Sequence, residues 1–164
     1  MENKNEFVAY LEGLTEDRGK LAALRRGLGL PPGTCVAMYP IVAIRLPRNI
    51  PKYEEERYYL IASLFGLHPS SSETGNMGDH MRHACSENLV QAVERRFAKL
   101  LAANWEDLSN ELRQTISYLK SKGIPVNWHQ LIADLKNWSH PDRFVQRKWA
   151  SAFWGYISTE NPKE

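Results

Sequence analysis

Apolar residues recur along almost the whole chain at spacings of three and four, the period of helices with one buried face. From about Asn5 to Gly13, Phe7, Tyr10, Leu11 and Leu14 share a face. Thr15 is a candidate N-cap for a second helix, with Glu16 and Asp17 in its first turn, where the helix dipole favours anions. That helix turns Leu21, Leu24 and Leu28 inward and stops at Gly27-Leu28-Gly29, ahead of Pro31-Pro32-Gly33. The run from Cys35 to Ile44 is apolar and reads as a strand or a short buried helix. Pro40 has no N–H for a central ladder, so the short helix is preferred. Pro47 and Pro51 bracket a turn, and Pro51 suits the first position of a helix running from about Lys52 to Leu67. Its core candidates are Tyr53, Leu60, Ile61, Leu64 and Phe65.

His68 to Asp79, with Pro69, three serines, Gly75 and Gly78, reads as a linker, followed by a short helix from Asp79 to Cys85. Glu87 to Ala103 buries Leu89, Val93, Phe97, Leu100 and Leu101. Glu106 to Lys122 buries Leu108, Leu112, Ile116 and Leu119 and ends at Gly123-Ile124-Pro125. Asn127 then caps Trp128 to Trp138, with Leu131, Ile132 and Leu135 inward, and Pro141 to Tyr156 buries Val145, Trp149 and Phe153. No strand alternation and no internal repeat is present. The expected class is all-α: eight or nine helices in two small sub-bundles, residues 1–69 and 87–158. A Gly/Ser-rich linker and short helix over 70–86 join them, and 159–164 is a flexible tail.

Composition narrows the function classes only a little. At 164 residues, 43% hydrophobic and 24% charged, the chain suits a folded domain without staples. Met1-Glu2-Asn3-Lys4-Asn5 is not followed by an apolar h-region, and no apolar run nears the roughly 20 residues that span a bilayer. The expectation is a soluble, cytoplasmic protein with no membrane contact and with Cys35 and Cys85 reduced.

Charge changes the picture more. The net value is only +2, yet Arg18, Lys20, Arg25, Arg26, Arg45, Arg48 and Lys52 fall in a stretch from Arg18 to Tyr53 that contains no acid. Arg143, Arg147 and Lys148 lie in a second acid-free stretch, through Ser158, while acids gather at Glu54-Glu55-Glu56 and around Glu106, Asp107 and Glu111. An isolated arginine near a helix C-terminus is explained by the dipole alone; acid-free runs of this length are not. Segregation on a nearly neutral chain is what phosphate binding requires. Arg45, Arg48 and Lys52 punctuate a Pro-rich turn from which they reach outward. In the second half, Arg95 and Arg96 stand beside core Phe97, with Glu94 or Gln91 as a partner for Arg95, and Arg113 faces a helix flank. Trp149, in register with Val145 and Phe153, reads as core rather than a base-stacking platform.

Other chemistry finds little support. His80, His83 and Cys85 lie within six residues, but a helix starting near Asp79 turns Cys85 away, and no C-x-x-C or H-E-x-x-H accompanies them. Exposed or capping histidines are expected, with no metal and no cofactor. There is no G-x-S-x-G, P-loop or G-x-G-x-x-G, and no nucleophile with an identifiable base, so no catalytic residue is assigned and the chain is read as a non-enzyme. The rival binding module is a helix-turn-helix transcription regulator around Gly123-Ile124-Pro125, which needs a recognition helix with base-reading side chains.

Five stretches together resemble one family, the small CasB subunit of the type I-E CRISPR Cascade complex. They are Arg18-Gly19-Lys20-Leu21-Ala22-Ala23-Leu24-Arg25-Arg26-Gly27, Leu60 through Pro69, Glu94 through Leu101, Leu112-Arg113-Gln114 through Trp138, and Trp149-Ala150-Ser151-Ala152-Phe153-Trp154. Their order and spacing match from about residue 10 to 156. The resemblance implies a non-catalytic role in antiviral defence, paired with a second copy and packed among the other Cascade subunits. There it helps hold the guide RNA–target DNA hybrid and the displaced strand, while base pairing reads sequence. By motif, Arg25 and Arg26, Lys52, Arg95 or Arg96, Arg113, and Arg143, Arg147 and Lys148 fall on the family's basic positions. With Lys20, Arg45 and Arg48 from the acid-free stretch, these twelve are the expected nucleic-acid-binding residues. The Trp154–Tyr156 end is the expected candidate for a subunit-facing surface.

Overall fold

The computed structural model describes residues 4–86 and 88–155. Among them nine α-helices follow one another: α1 Glu6–Glu12, α2 Arg18–Arg25, α3 Tyr39–Val42, α4 Lys52–Leu67, α5 Met77–His83, α6 Val90–Ala102, α7 Trp105–Ser121, α8 Trp128–Lys136 and α9 Phe144–Ala150. Short 3₁₀ turns flank α3, and a π-turn over Ser151–Gly155 extends α9. The fold is all-α; among the described residues the one β-bridge is an isolated parallel contact of Ser71 with Val126.

The helix α4 organises the rest. Residues Arg57 to Gly66 are buried in an unbroken run, so this helix has no solvent face over ten residues. A helix apolar all round must be enclosed, and α1, α2, α3, α7 and α8 all pack on it. Two features allow the enclosure. Gly66 lets α2 approach closely: a Cβ there would lie 2.8 Å from Leu24 Cβ and 3.1 Å from the Leu21 carbonyl oxygen. Arg57, only 5% exposed, is held from α8, its Nη1 donating to the Ile132 carbonyl at 2.6 Å although its Nε has no hydrogen-bond partner among the described residues, while Tyr53 Oη donates to Leu135 and Lys136 carbonyls. The first turns of α4 thus cap the α8 C-terminus, where the helix dipole compensates a buried cation.

The second layer is fastened by indole N–H groups. Trp138 Nε1 donates to the Ala103 carbonyl, Trp149 Nε1 to Asp134 Oδ2, and Trp128 Nε1 to the Ser70 carbonyl. The carboxyl of Asp134 is raised above its ordinary pKa by burial, which the bonds from Trp149 and Gln130 partly oppose. At the crossing of α5 with the end of α9, Gly78 sits directly on the Trp149 carbonyl, with no room for a side chain.

Most predicted boundaries hold, and the differences have local causes. The N-cap of α2 is Asp17, whose carboxylate accepts from Lys20 N, not Thr15, whose hydroxyl donates back to the Glu12 carbonyl at 2.7 Å. Glu16 and Asp17 therefore precede the helix. The short helix expected over Cys35–Ile44 is broken into 3₁₀, α and 3₁₀ turns, with Pro40 in the first turn of α3. Pro51 is the N-cap of α4 rather than its first residue. The helix α5 starts at Met77 because Asn76 and Asp79 form a reciprocal capping box, which makes Asp79 its third residue. The helix α6 starts at Val90, leaving Leu89 39% exposed instead of in the core; Glu87 lies outside the described residues. The helix α9 starts at Phe144, behind Arg143 in a left-handed conformation with φ 52°, rather than at Pro141. Tyr156 and the tail at 159–164 lie outside the described residues.

Two glycines give opposite tests. Replacing Gly78 by Ala forces α5 off the Trp149 carbonyl and is expected to cost about 2–4 kcal/mol in urea unfolding. Gly19, exposed in α2 with nothing nearer a built Cβ than Asp17 Oδ1 at 3.7 Å, is expected to gain about 0.5 kcal/mol as Gly19→Ala. A Gly78→Ala variant as stable as the parent would show that this crossing is not tight.

Candidate nucleic-acid interface

All twelve expected phosphate-binding cations, Lys20, Arg25, Arg26, Arg45, Arg48, Lys52, Arg95, Arg96, Arg113, Arg143, Arg147 and Lys148, lie on the surface. Among the described residues only Lys20 has a carboxylate within ion-pair reach, Asp17 at 3.9 Å, and that pair is half exposed. Cations outside this set behave differently: Arg82 pairs with Asp79 and Lys99 with Glu111.

Several of the twelve are oriented without being neutralised. Arg25 Nη1 donates to the Gly66 carbonyl at 3.2 Å, which seats it where α2 ends against α4. Arg113, from α7, brings its guanidinium to the loop that follows Arg25 and Arg26; a Cβ on Gly29 would lie 2.8 Å from Arg113 Nη1. The Arg45 guanidinium lies 4.6 Å from the Tyr10 ring centre, and Arg48 follows in a turn that places Asn49 at φ 59°. Arg96 lies 5.0 Å from the Tyr118 ring centre and Lys148 5.9 Å from that of Phe144. Arg143 Nη2 donates to the Leu101 carbonyl, joining the start of α9 to the end of α6.

The cations do not converge on a single spot. Arg25 is tied to the C-terminal end of α4 and Lys52 opens its N-terminus, roughly 20 Å away at 1.5 Å per residue. Lys20 apart, they form separate groups: Arg25, Arg26 and Arg113; Arg45, Arg48 and Lys52; Arg95 and Arg96; and Arg143, Arg147 and Lys148. Lys122, which sequence reasoning passed over, joins the third group, its ammonium 5.7 Å from the same Tyr118 ring that holds Arg96. The signal was available in the four-residue spacing of Tyr118 and Lys122, one helical turn apart.

Two expectations about neighbouring residues change. Glu94 does not pair with Arg95; it accepts from Trp154 Nε1 at 2.9 Å. That bond, with ring contacts to Phe97 and Phe153, leaves Trp154 half-buried, while Tyr156 at the other end of the expected subunit-facing surface lies outside the described residues. His80 is buried rather than exposed, its Nε2 accepting from Asn127 N at 3.0 Å, and His68 is buried with Nε2 donating to the Ile124 carbonyl. Trp149 is wholly buried, as its register predicts. Among the described residues no three His, Cys, Asp or Glu side chains stand close enough to share a metal ion. The helix-turn-helix candidate offers few free readers: α8 buries Trp128, Leu131, Ile132 and Leu135, His129 bonds Asn5 and Glu12, and Gln130 bonds Asp134. No helix among the described residues is long and apolar enough to cross a membrane.

Comparison with known proteins places this geometry. The family model for CRISPR-associated protein Cse2 matches residues 20–154. A CRISPR-associated protein Cse2 of Thermus thermophilus is 29% identical over 97% of this chain and 92% of its own length. The crystal structure of CasB from Thermus thermophilus superposes with a TM-score of 0.79 at 27% identity, covering 93% of this chain and 99% of that one. A chain in a CRISPR RNA-guided surveillance complex superposes with a TM-score of 0.78 at 26% identity, covering 94% of this chain and 92% of that one.

The buried histidine makes a pH prediction. Burial lowers the His80 pKa from 6.5 to about 4, with Asp79 opposing and His83 adding to the shift. A histidine held neutral in the folded state contributes stability above about pH 6.5 that is lost as pH falls towards 4. Between pH 7 and pH 4.5 the parent is expected to lose about 2–3 kcal/mol from this group. His80→Gln, which keeps an acceptor for Asn127 N, should show a correspondingly smaller loss in urea unfolding. Equal losses in both would remove His80 as the cause.

Proposed function

The chain belongs to the CRISPR-associated Cse2 family, and on that premise we propose that it is a non-catalytic subunit of a type I-E Cascade surveillance complex. In this reading it packs among other Cascade subunits beside a second copy of itself. It grips the phosphate backbones of the guide RNA–target DNA hybrid and the displaced strand in antiviral defence. The observation that carries the reading is the set of exposed cations that, Lys20 apart, have no carboxylate partner among the described residues. A phosphate replacing an existing carboxylate gains little, whereas one reaching an unneutralised guanidinium gains the full counterion-release term.

Spacing supports the same role. Groups of cations set apart on the helical body, Arg25 and Lys52 roughly 20 Å from each other along α4, suit an extended backbone better than a single small ligand. Such contacts carry no sequence information, which base pairing supplies in an RNA-guided complex. Exchange of a DNA duplex for an RNA–DNA hybrid is nearly balanced, so modest backbone contacts are enough to tip it.

The test is fluorescence anisotropy of the purified chain with single-stranded DNA, duplex DNA and RNA of unrelated sequence over a salt series. Weak binding to all three kinds of strand, falling steeply with salt, is expected. Arg25→Ala/Arg26→Ala should flatten the slope of log affinity against log salt by about 1.4 on single strands and about 1.8 on duplex. Reversing the charge of Arg25, Arg26, Lys52 and Arg113 together without changing affinity or slope would overturn the assignment.

A further inference from the structure

Beside the Arg25–Arg26 end of α2 lies a cleft of about 400 Å³, walled by the loop Gly27 to Gly33, by α4 and by α7. Its size falls within the range of small-molecule sites. Trp105 and Tyr59 supply aromatic wall, and Glu56, Glu106, Ser109 and Arg113 supply polar groups. Glu56 accepts only a long bond, 3.4 Å, from Trp105 Nε1. Among the described residues Glu56, Glu106 and Arg113 take part in no ion pair, although acids and a guanidinium line the same cleft. Arg113 stands at the glycine loop, its Nη1 2.8 Å from where a Gly29 Cβ would be.

These groups define an occupant. It has hydrogen-bond donors for the carboxylates, an apolar face for the aromatic wall, and an acceptor for Arg113. We infer that the cleft receives one unstacked guanine base of the bound strand, an inference that rests on the phosphate-gripping reading above. A strand whose phosphates lie on Arg25 and Arg26 passes the cleft mouth, because Gly27, which lines it, follows Arg26 directly. Stacking on aromatic side chains serves any base, so the carboxylate sets the choice. Guanine presents its N1–H and N2–H₂ side by side, two donors that a carboxylate such as Glu56 accepts together. Adenine and cytosine set an amino group beside a ring acceptor that a carboxylate repels, and thymine flanks its single N–H with two acceptors.

The experiment uses short fluorescein-labelled thymidine oligonucleotides that differ at one central position: dG, dA or an abasic site. The full chain is expected to bind the dG strand about ten-fold tighter than the other two, the size of one base's stacking and pairing. Glu56→Gln should erase that preference. Ser109→Trp, which fills the cleft while leaving every charge in place, should do the same. Comparing strands on the unaltered protein keeps the test independent of whether either variant folds. Equal affinity for all three strands, with a steep salt dependence, overturns the base site and leaves the phosphate reading standing. A gain shared equally by dA and dG overturns the guanine assignment, and no binding to any strand removes both readings.

Discussion

The enclosure of α4 is the constraint from which the rest of the fold follows. Ten consecutive residues of one helix are out of solvent, so every polar group among them needs an internal partner. Arg57 is the severe case, since a buried cation left alone is costly. Its solution is the C-terminus of α8, whose carbonyls accept from Arg57 and from Tyr53 one turn earlier. The same contact therefore offsets part of the desolvation of Arg57, whose Nε stays without a hydrogen-bond partner among the described residues, and fixes where α8 ends against α4. Gly66 sets the opposite side, since only a residue without a side chain lets α2 lie at the depth that buries Leu21 and Leu24.

Once α4 takes the centre, the surrounding helices each keep an outer face, and the charges sort accordingly. The α2 end, the turn before α4, and the outer flanks of α6, α7 and α9 carry the exposed cations. Acids that sit near them are directed elsewhere: Glu94 to the Trp154 indole, Glu12 to His129, Asp134 to Trp149 and Gln130. Carboxylates thus help to fasten the core while the arginines stay uncancelled outside it.

The helical skeleton was legible because a 3.6-residue period and local caps encode it. Asn127 caps α8 by accepting from Gln130 N, and Lys52–Leu67 emerged with the expected ends, since both signals lie within a few residues of the features they specify. Where two capping residues compete within three positions, as Thr15 and Asp17 do, local pattern does not rank them, and the carboxylate that reaches Lys20 N wins. The cationic surface was legible as acid-free stretches, but the partners of individual residues were not. Arg95 and Glu94 are neighbours in sequence, yet Glu94 turns to Trp154, 60 positions away, a choice made by tertiary packing. His80 carried the same blindness. Its burial depends on the segment around Asn127 closing over it, a long-range contact that a polar, serine-rich sequence does not announce. Lys122 was passed over because it lies outside both acid-free stretches, although Tyr118 holds it beside Arg96.

The way the arginines are held bears directly on the proposed role. A long side chain free in water loses about 1.5–2 kcal/mol of rotamer freedom when a ligand fixes it. An acid partner would remove that loss but would also cancel the charge, leaving little attraction for a phosphate. Ring faces and backbone carbonyls avoid the conflict. Tyr10 under Arg45, Tyr118 under Arg96, and the Gly66 and Leu101 carbonyls on Arg25 and Arg143 restrict those side chains while their full positive charge remains. A guanidinium has five N–H donors, so one given to a carbonyl leaves others for an incoming oxygen. Pre-ordering without neutralisation suits phosphate contacts that must act at many positions along a strand. It also explains why Arg25, Arg45, Arg96 and Arg143 rest on aromatic rings and backbone carbonyls rather than on carboxylates.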